Sequence, residues 1–207
     1  PEGLPAVEAT IAAGINVNVT LLFSVQSYVD TFWAYVRGLE KRVEAGEDIS
    51  KIASVASFFL SRIDVKVDKQ LDALVDAASD NATKDEIRRL RGKVAIANAK
   101  IAYEQYKVMI ESDRWKALEA KGANVQRLLW ASTGTKDPSY SDVMYVDELI
   151  GKDTVNTLPP NTIEACADHC DVKSDRIEFN IEDAHQVIDS LATHGIDLDQ
   201  VMDELLA

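Results

Sequence analysis

The sequence predicts an α/β protein built on parallel strands. Three observations carry that expectation. Short β-rich runs alternate with longer segments whose apolar residues recur at helical spacing. The clearest run, INVNVTLLF at 15–23, points Val17, Val19 and Leu21 one way and Asn18, Thr20 and Leu22 the other. That is an apolar outer face under helices and a more polar inner face. Finally, no GxGxxG or P-loop follows any of the runs, so the common nucleotide-binding sheets lose ground. The alternation itself fits a barrel and a doubly wound sheet equally well.

Taken in order, Ser24 is the expected N-cap of a helix over 25–45, where Tyr28, Val29, Phe32, Trp33, Tyr35, Val36 and Leu39 fall at helical spacing before Gly46. The aromatic stripe from Phe32 to Tyr35 reads as helix-to-sheet packing. ASVASFFL at 53–60 is a second strand, and 64–78 is helical. Thr83 and Glu86 carry capping-box spacing, which predicts one long helix over about 85–120, weakened at Gly92 and ended by Gly122. VQRLLWAS at 125–132 is a third strand. The loop TGTKDPSYS and a short helix over 142–150 follow. TVNTL at 154–158 is a weaker fourth strand, and helices are expected over 161–170, 181–194 and 197–206.

The 207 residues suffice for one domain with a sizeable core, and 46% hydrophobic with 28% charged residues is ordinary for a globular protein. A net charge of −13 argues against nucleic-acid binding. It also means that a phosphate-bearing ligand needs a local basic pocket. No apolar run approaches bilayer length, so no membrane partner is expected. Two cysteines four residues apart, Cys166 and Cys170, do not make a disulfide framework, and a reducing compartment is expected. With His169 they share a helix face. That arrangement is compatible with zinc but lacks a named fourth ligand and any standard spacing, so no metal is expected. Pro1 opens the chain without an initiator Met and Ala207 stops it within a helix, as if both ends were cut from something longer.

The runs GINVNVTLLFS at 14–24, SFFLSRID at 57–64, LLWASTGTK at 128–136 and TVNTLPPNTIEA at 154–165, in that order and spacing, resemble the transaldolase family. The resemblance implies a parallel (β/α)8 TIM-type barrel, of which 1–207 is about the second half plus C-terminal helices. It also implies transfer of a dihydroxyacetone unit between sugar phosphates, in the cytoplasmic pentose phosphate pathway, with no cofactor. The Schiff-base lysine is then expected a few residues upstream of Pro1, which begins inside the loop after the lysine-bearing strand. Missing with it are the first strands and their catalytic acids.

By that match, Thr20 positions the Schiff-base intermediate or a water, and Asn18 bonds substrate hydroxyls or a neighbour. Ser57, Phe59 and Arg62 project from the second strand and its end, with Arg62 the best phosphate anchor. The bland alternative is a surface Arg62 paired with Asp64 and a Phe59 that is merely core. Ser132 completes the phosphate site. The better-known family pattern has an arginine two residues after this serine, where this chain has Gly134. Lys136 either supplies that charge or is a solvated loop lysine. As the Schiff-base amine it is disfavoured, because a Gly/Thr/Asp loop looks too wet to lower its pKa. A rival expectation is a catalytically inactive half-barrel, or one half of a split enzyme. Its open sheet would self-associate or need the missing N-terminal half.

Overall fold

The computed structural model describes residues 2–207. Four strands, β1 (Val17–Leu22), β2 (Ser54–Phe59), β3 (Arg127–Ala131) and β4 (Thr154–Asn156), form one sheet in sequential order. Every neighbouring pair is parallel. Each crossover contains helix: α2 (Val25–Glu44) after β1; α3 (Ser61–Ala77), α4 (Asn81–Arg88), α5 (Val94–Ile110) and α6 (Asp113–Glu119) after β2; α7 (Met144–Asp147) after β3. Beyond β4 come α8 (Pro160–His169), a 3-10 turn (Arg176–Glu178), α9 (Ile181–Thr193) and α10 (Leu198–Leu206). This is a parallel α/β fold, and sequential strand order is what consecutive strands of a (β/α)8 barrel give.

The register separates two faces. Ala56, Phe58, Leu128 and Trp130 share one face and are fully or almost fully buried. Phe58 meets Trp130 edge-on at 6.1 Å between centroids, and the Trp130 indole N–H donates to the Leu149 carbonyl at 3.2 Å. The helices pack on this side. The opposite face carries Asn18, Thr20, Val55, Ser57, Phe59 and Leu129, most of them half-buried or exposed.

Helix α2 follows its expected bounds. Ser24 caps it, its Oγ accepting from the Ser27 N–H at 3.1 Å. The aromatic stripe packs as expected: Phe32 lies 5.6 Å from Trp115, and the Tyr35 hydroxyl donates to the Asn124 carbonyl at 2.8 Å.

Several expectations need correction. Residues 4–12 form a helix, α1, for which the sequence analysis predicts no element; the expectation for Pro1 lies outside the described residues. Pro5 pre-sets its first turn. Ile11 seats it on α2 at Gly38, where a Cβ would fall 2.6 Å from the Ile11 Cβ. Glu8 ties it there through Arg37 and Lys41, each at 2.6 Å. The long helix over 85–120 is three helices. Asp80, not Thr83, caps α4 by accepting from the Thr83 N–H, and Gly92 breaks the run at φ +67°. In β1 the alternation fails at Leu21, which takes φ +61° at a bulge. Leu21 is therefore turned out at 42% exposure, and Leu22 enters the core instead.

Among the described residues, no helix is long and apolar enough to cross a membrane.

Gly92 combines a left-handed backbone with a close neighbour, since a Cβ there would meet the Tyr140 ring at 2.8 Å. Gly46, at φ +74°, has open space. Gly46→Ala is expected to cost about 1 kcal/mol in urea unfolding, the backbone strain alone. Gly92→Ala is expected to cost at least ~1 kcal/mol more, from the added clash. Equal losses would mean that the Tyr140 contact is not formed in solution.

Candidate functional site

The open face holds the first cluster. Ser57 and Asn18 sit on adjacent strands, and the Ser57 hydroxyl donates to Asn18 Oδ1 at 2.7 Å. Ser57 is thereby buried while Asn18 stays exposed. Thr20 is exposed one pleat further on. It lines a separate hollow with Leu4, Val7, Ser27 and Leu206 and is not bonded to the pair.

The second cluster sits at the C-terminal strand ends. Phe59 ends β2, 5.5 Å from Phe23 between ring centroids, and the Arg62 guanidinium lies over its ring at 5.1 Å. Arg62 belongs to the first turn of α3 rather than to the strand end where the sequence reading put it. It is exposed, and the alternative pairing with Asp64 does not form. Asp64 turns inward, 2% exposed, and accepts from the Tyr145 hydroxyl at 2.5 Å and the Ala95 N–H at 2.8 Å.

Ser132 follows β3 at φ +57°, a left-handed conformation that turns its hydroxyl back to Ser61 Oγ at 2.8 Å. The Ser61 N–H in turn donates to the Ser132 carbonyl at 3.0 Å. Sequence reasoning missed Ser61. The signal available was its place between Phe59 and Arg62 in a run already singled out.

Lys136 is exposed and shares a cleft of about 450 Å3 with Ser61, Asp64, Asp68 and Tyr140. Its Nζ lies 3.8 Å from where a Gly134 Cβ would stand. The carboxylate next to it in sequence, Asp137, pairs with Arg91 at 3.2 Å. The loop that carries this exposed lysine is nonetheless tied down. The Thr135 hydroxyl donates to the Ser141 carbonyl at 3.0 Å, and the Tyr140 hydroxyl to Asp68 at 2.7 Å.

Burial pushes the Asp64 carboxyl up to about 6, against the bonds from Tyr145 and Ala95 that favour its charged form. Asp68 is also raised, again chiefly by burial. Burial, with the carboxylate beside it, raises the Tyr145 hydroxyl too.

Cys166 and Cys170 correct the expectation of two free thiols. They are joined in a disulfide, because α8 ends at His169 and the turn beyond brings their Cα atoms to 4.4 Å. Neither offers a thiolate in this state. The His169 ring is instead held between Asp168 and Asp142, at 3.0 and 2.8 Å.

A parallel sheet that is covered on one face and gathers hydroxyls and cations at its C-terminal strand ends defines the class: an α/β protein with barrel-type site geometry. Within that class, the family model for transaldolase/fructose-6-phosphate aldolase matches residues 1–207. The chain belongs to this family. It is 66% identical to Transaldolase 2 of Nostoc sp., over 99% of this chain and 54% of that protein. Identity is 64% to the transaldolase of Trichodesmium erythraeum, over 100% and 54%. It is 51% to that of Saccharopolyspora erythraea, over 97% and 52%. The chain thus spans about half the length of the curated relatives it matches.

Asp64 gives a pH prediction. Its folded pKa lies above the unfolded value of 3.8, so its stabilising contribution is full below about pH 4 and is lost as pH rises through about 6. Asp64→Asn cannot ionise. The stability of the unsubstituted chain minus that of Asp64→Asn is expected to fall by roughly 2–3 kcal/mol between pH 4 and pH 7. A flat difference across that range in paired urea titrations would remove Asp64 as a destabilising buried charge.

Proposed function

We propose that this chain supplies part of a transaldolase site, which moves a three-carbon dihydroxyacetone unit between sugar phosphates. The observation that carries the reading is the Ser132–Ser61 hydroxyl pair at the C-terminal strand ends, with Ser61 lining the Lys136 cleft and its sequence neighbour Arg62 stacked on Phe59. In this chemistry a lysine amine condenses with the ketose carbonyl, and the resulting iminium draws off the electron pair released by C–C cleavage. Thr20 positions that intermediate or the attacking water. Asn18, held by Ser57, bonds the sugar hydroxyls. Phe59 walls the substrate and carries Arg62, whose planar fork takes the phosphate. The Lys136 amine folds back over position 134, where the better-known pattern has an arginine, and supplies the second charge there. On this reading the protein acts in cytoplasmic carbohydrate metabolism and needs no metal or organic cofactor.

No lysine lies on any of the four strands. On this reading the condensing amine lies in the part of the relatives' length that this chain does not span. Borohydride reduction in the presence of fructose 6-phosphate tests this. The expected intact mass of the chain is unchanged, whereas a longer protein with the preceding barrel strands gains one reduced sugar adduct. An adduct mapped to Lys136 would move the chemistry onto this chain and overturn the assignment.

A second reading, a catalytically inactive half-barrel that needs a partner, is favoured by the uncovered sheet face and the unpaired edges of β1 and β4. The missing half or a second copy would cover them. Sedimentation equilibrium is expected to give a concentration-dependent mass above that of one chain. A monodisperse monomer across the range tested would count against it.

A further inference from the structure

Just after Lys136, its loop is fastened at two residues, Asp137 and Tyr140, to partners outside the strands. Asp137 accepts from the Ser139 N–H at 2.8 Å, closing a tight turn, and from Arg91 at 3.2 Å. Three residues further on, the Tyr140 hydroxyl donates to Asp68 Oδ2 at 2.7 Å, while Asp68 Oδ1 accepts the Gly92 N–H at 3.1 Å. The Tyr140 ring lies against Gly92, in space that any Cβ would occupy. Asp68 is 7% exposed, so this acceptor is fixed in the packed interior rather than on a mobile surface.

We infer that Tyr140 is a positioning residue for Lys136, and that the Tyr140–Asp68 bond sets how well the site holds a sugar phosphate. The inference rests on the phosphate role of Lys136 given above. A lysine is a flexible point charge with four rotatable carbons, and it lacks the pre-organised fork of arginine. Where lysine replaces arginine, the backbone beneath it has to be held more firmly for the same anion contact. Asp68 and Tyr140 do that from α3 and from the loop itself. The Tyr140 hydroxyl is committed to Asp68, so it acts through Lys136. The selectivity it governs is phosphorylated over non-phosphorylated ketose.

The test follows acetylation of Lys136 in the full chain by an amine-reactive acetyl ester, read by peptide mass spectrometry. Lys121, exposed before β3, serves as the internal control. Fructose 6-phosphate is expected to protect Lys136, while fructose at the same concentration does not. Tyr140→Phe keeps the ring over Gly92 and removes only the hydroxyl. It is expected to raise the half-protecting concentration about tenfold, the loss of one bond to a carboxylate, with Lys121 unchanged. Asp68→Ala removes the same bond from its other end and is expected to shift protection at least as far. If fructose 6-phosphate fails to protect Lys136 in the unsubstituted chain, the phosphate reading falls and the inference with it. If protection is present and Tyr140→Phe leaves it unchanged, the inference alone falls.

Discussion

Two carboxylates on α3, Asp64 and Asp68, are the interior contacts on which the placing of the site depends. They lie one helical turn apart on the buried side of the helix. Burial of charge is costly unless every lone pair finds a donor. Here the donors come from two different segments. Ala95 and Gly92 give backbone N–H groups at the entry to α5, and Tyr145 and Tyr140 give hydroxyls from the β3–β4 crossover. Helix α5 has no side-chain cap of its own, since Lys93 stands at its N-cap. Asp64 supplies that cap from across the interface. One helix therefore anchors both the longest buried helix after it and the loop that bears Lys136.

The sheet explains why the anchoring matters. Its helix-covered face is apolar and closely packed, and needs only size and shape: Ala56, Phe58, Leu128 and Trp130 fill it. Its other face has little packing to hold side chains in place, so polar groups there are held by each other. Asn18 is fixed by Ser57, and Ser132 by Ser61. The left-handed backbones at Leu21 and Ser132, each at or just past the end of a strand, belong to the same economy. Each turns a chain end so that the next residue enters the core or a hydroxyl faces its neighbour, and such strain persists only where surrounding packing enforces it.

The strands, α2, and the helices after β4 were legible because their signals are local. Alternation, a Ser cap and helical spacing need no tertiary context. What was not legible depended on distant partners. The split of 85–120 at Gly92 follows from Tyr140 and Asp68, which are far away in sequence. Leu21 broke its alternation at a bulge that only the pairing of β1 with β2 reveals. The alternative of a surface Arg62–Asp64 pair fails because α3 begins at Ser61 and sends one residue to solvent and the other inward. Among the site residues, Asn18, Thr20, Ser57, Phe59, Arg62, Ser132 and Lys136 were legible only through the resemblance. Composition and spacing alone left Asn18 and Thr20 as ordinary polar groups of a barrel interior.

Charge brings these threads together. At −13 the molecule repels phosphate at long range, and most of its basic side chains close to carboxylates are spent on pairs. Arg62 and Lys136 escape that fate for structural reasons. The acid two residues after Arg62 is drawn inward by Tyr145 and Ala95, and the acid after Lys136 is taken by Arg91. The buried carboxylates on α3 thus do a second thing besides capping α5. By binding Tyr145 and Ala95, Asp64 is kept from pairing with Arg62, whose guanidinium rests on Phe59, while the Lys136 amine rests over Gly134. In an acidic protein, whether a cation is paired depends as much on what already binds the neighbouring carboxylates as on the cation itself.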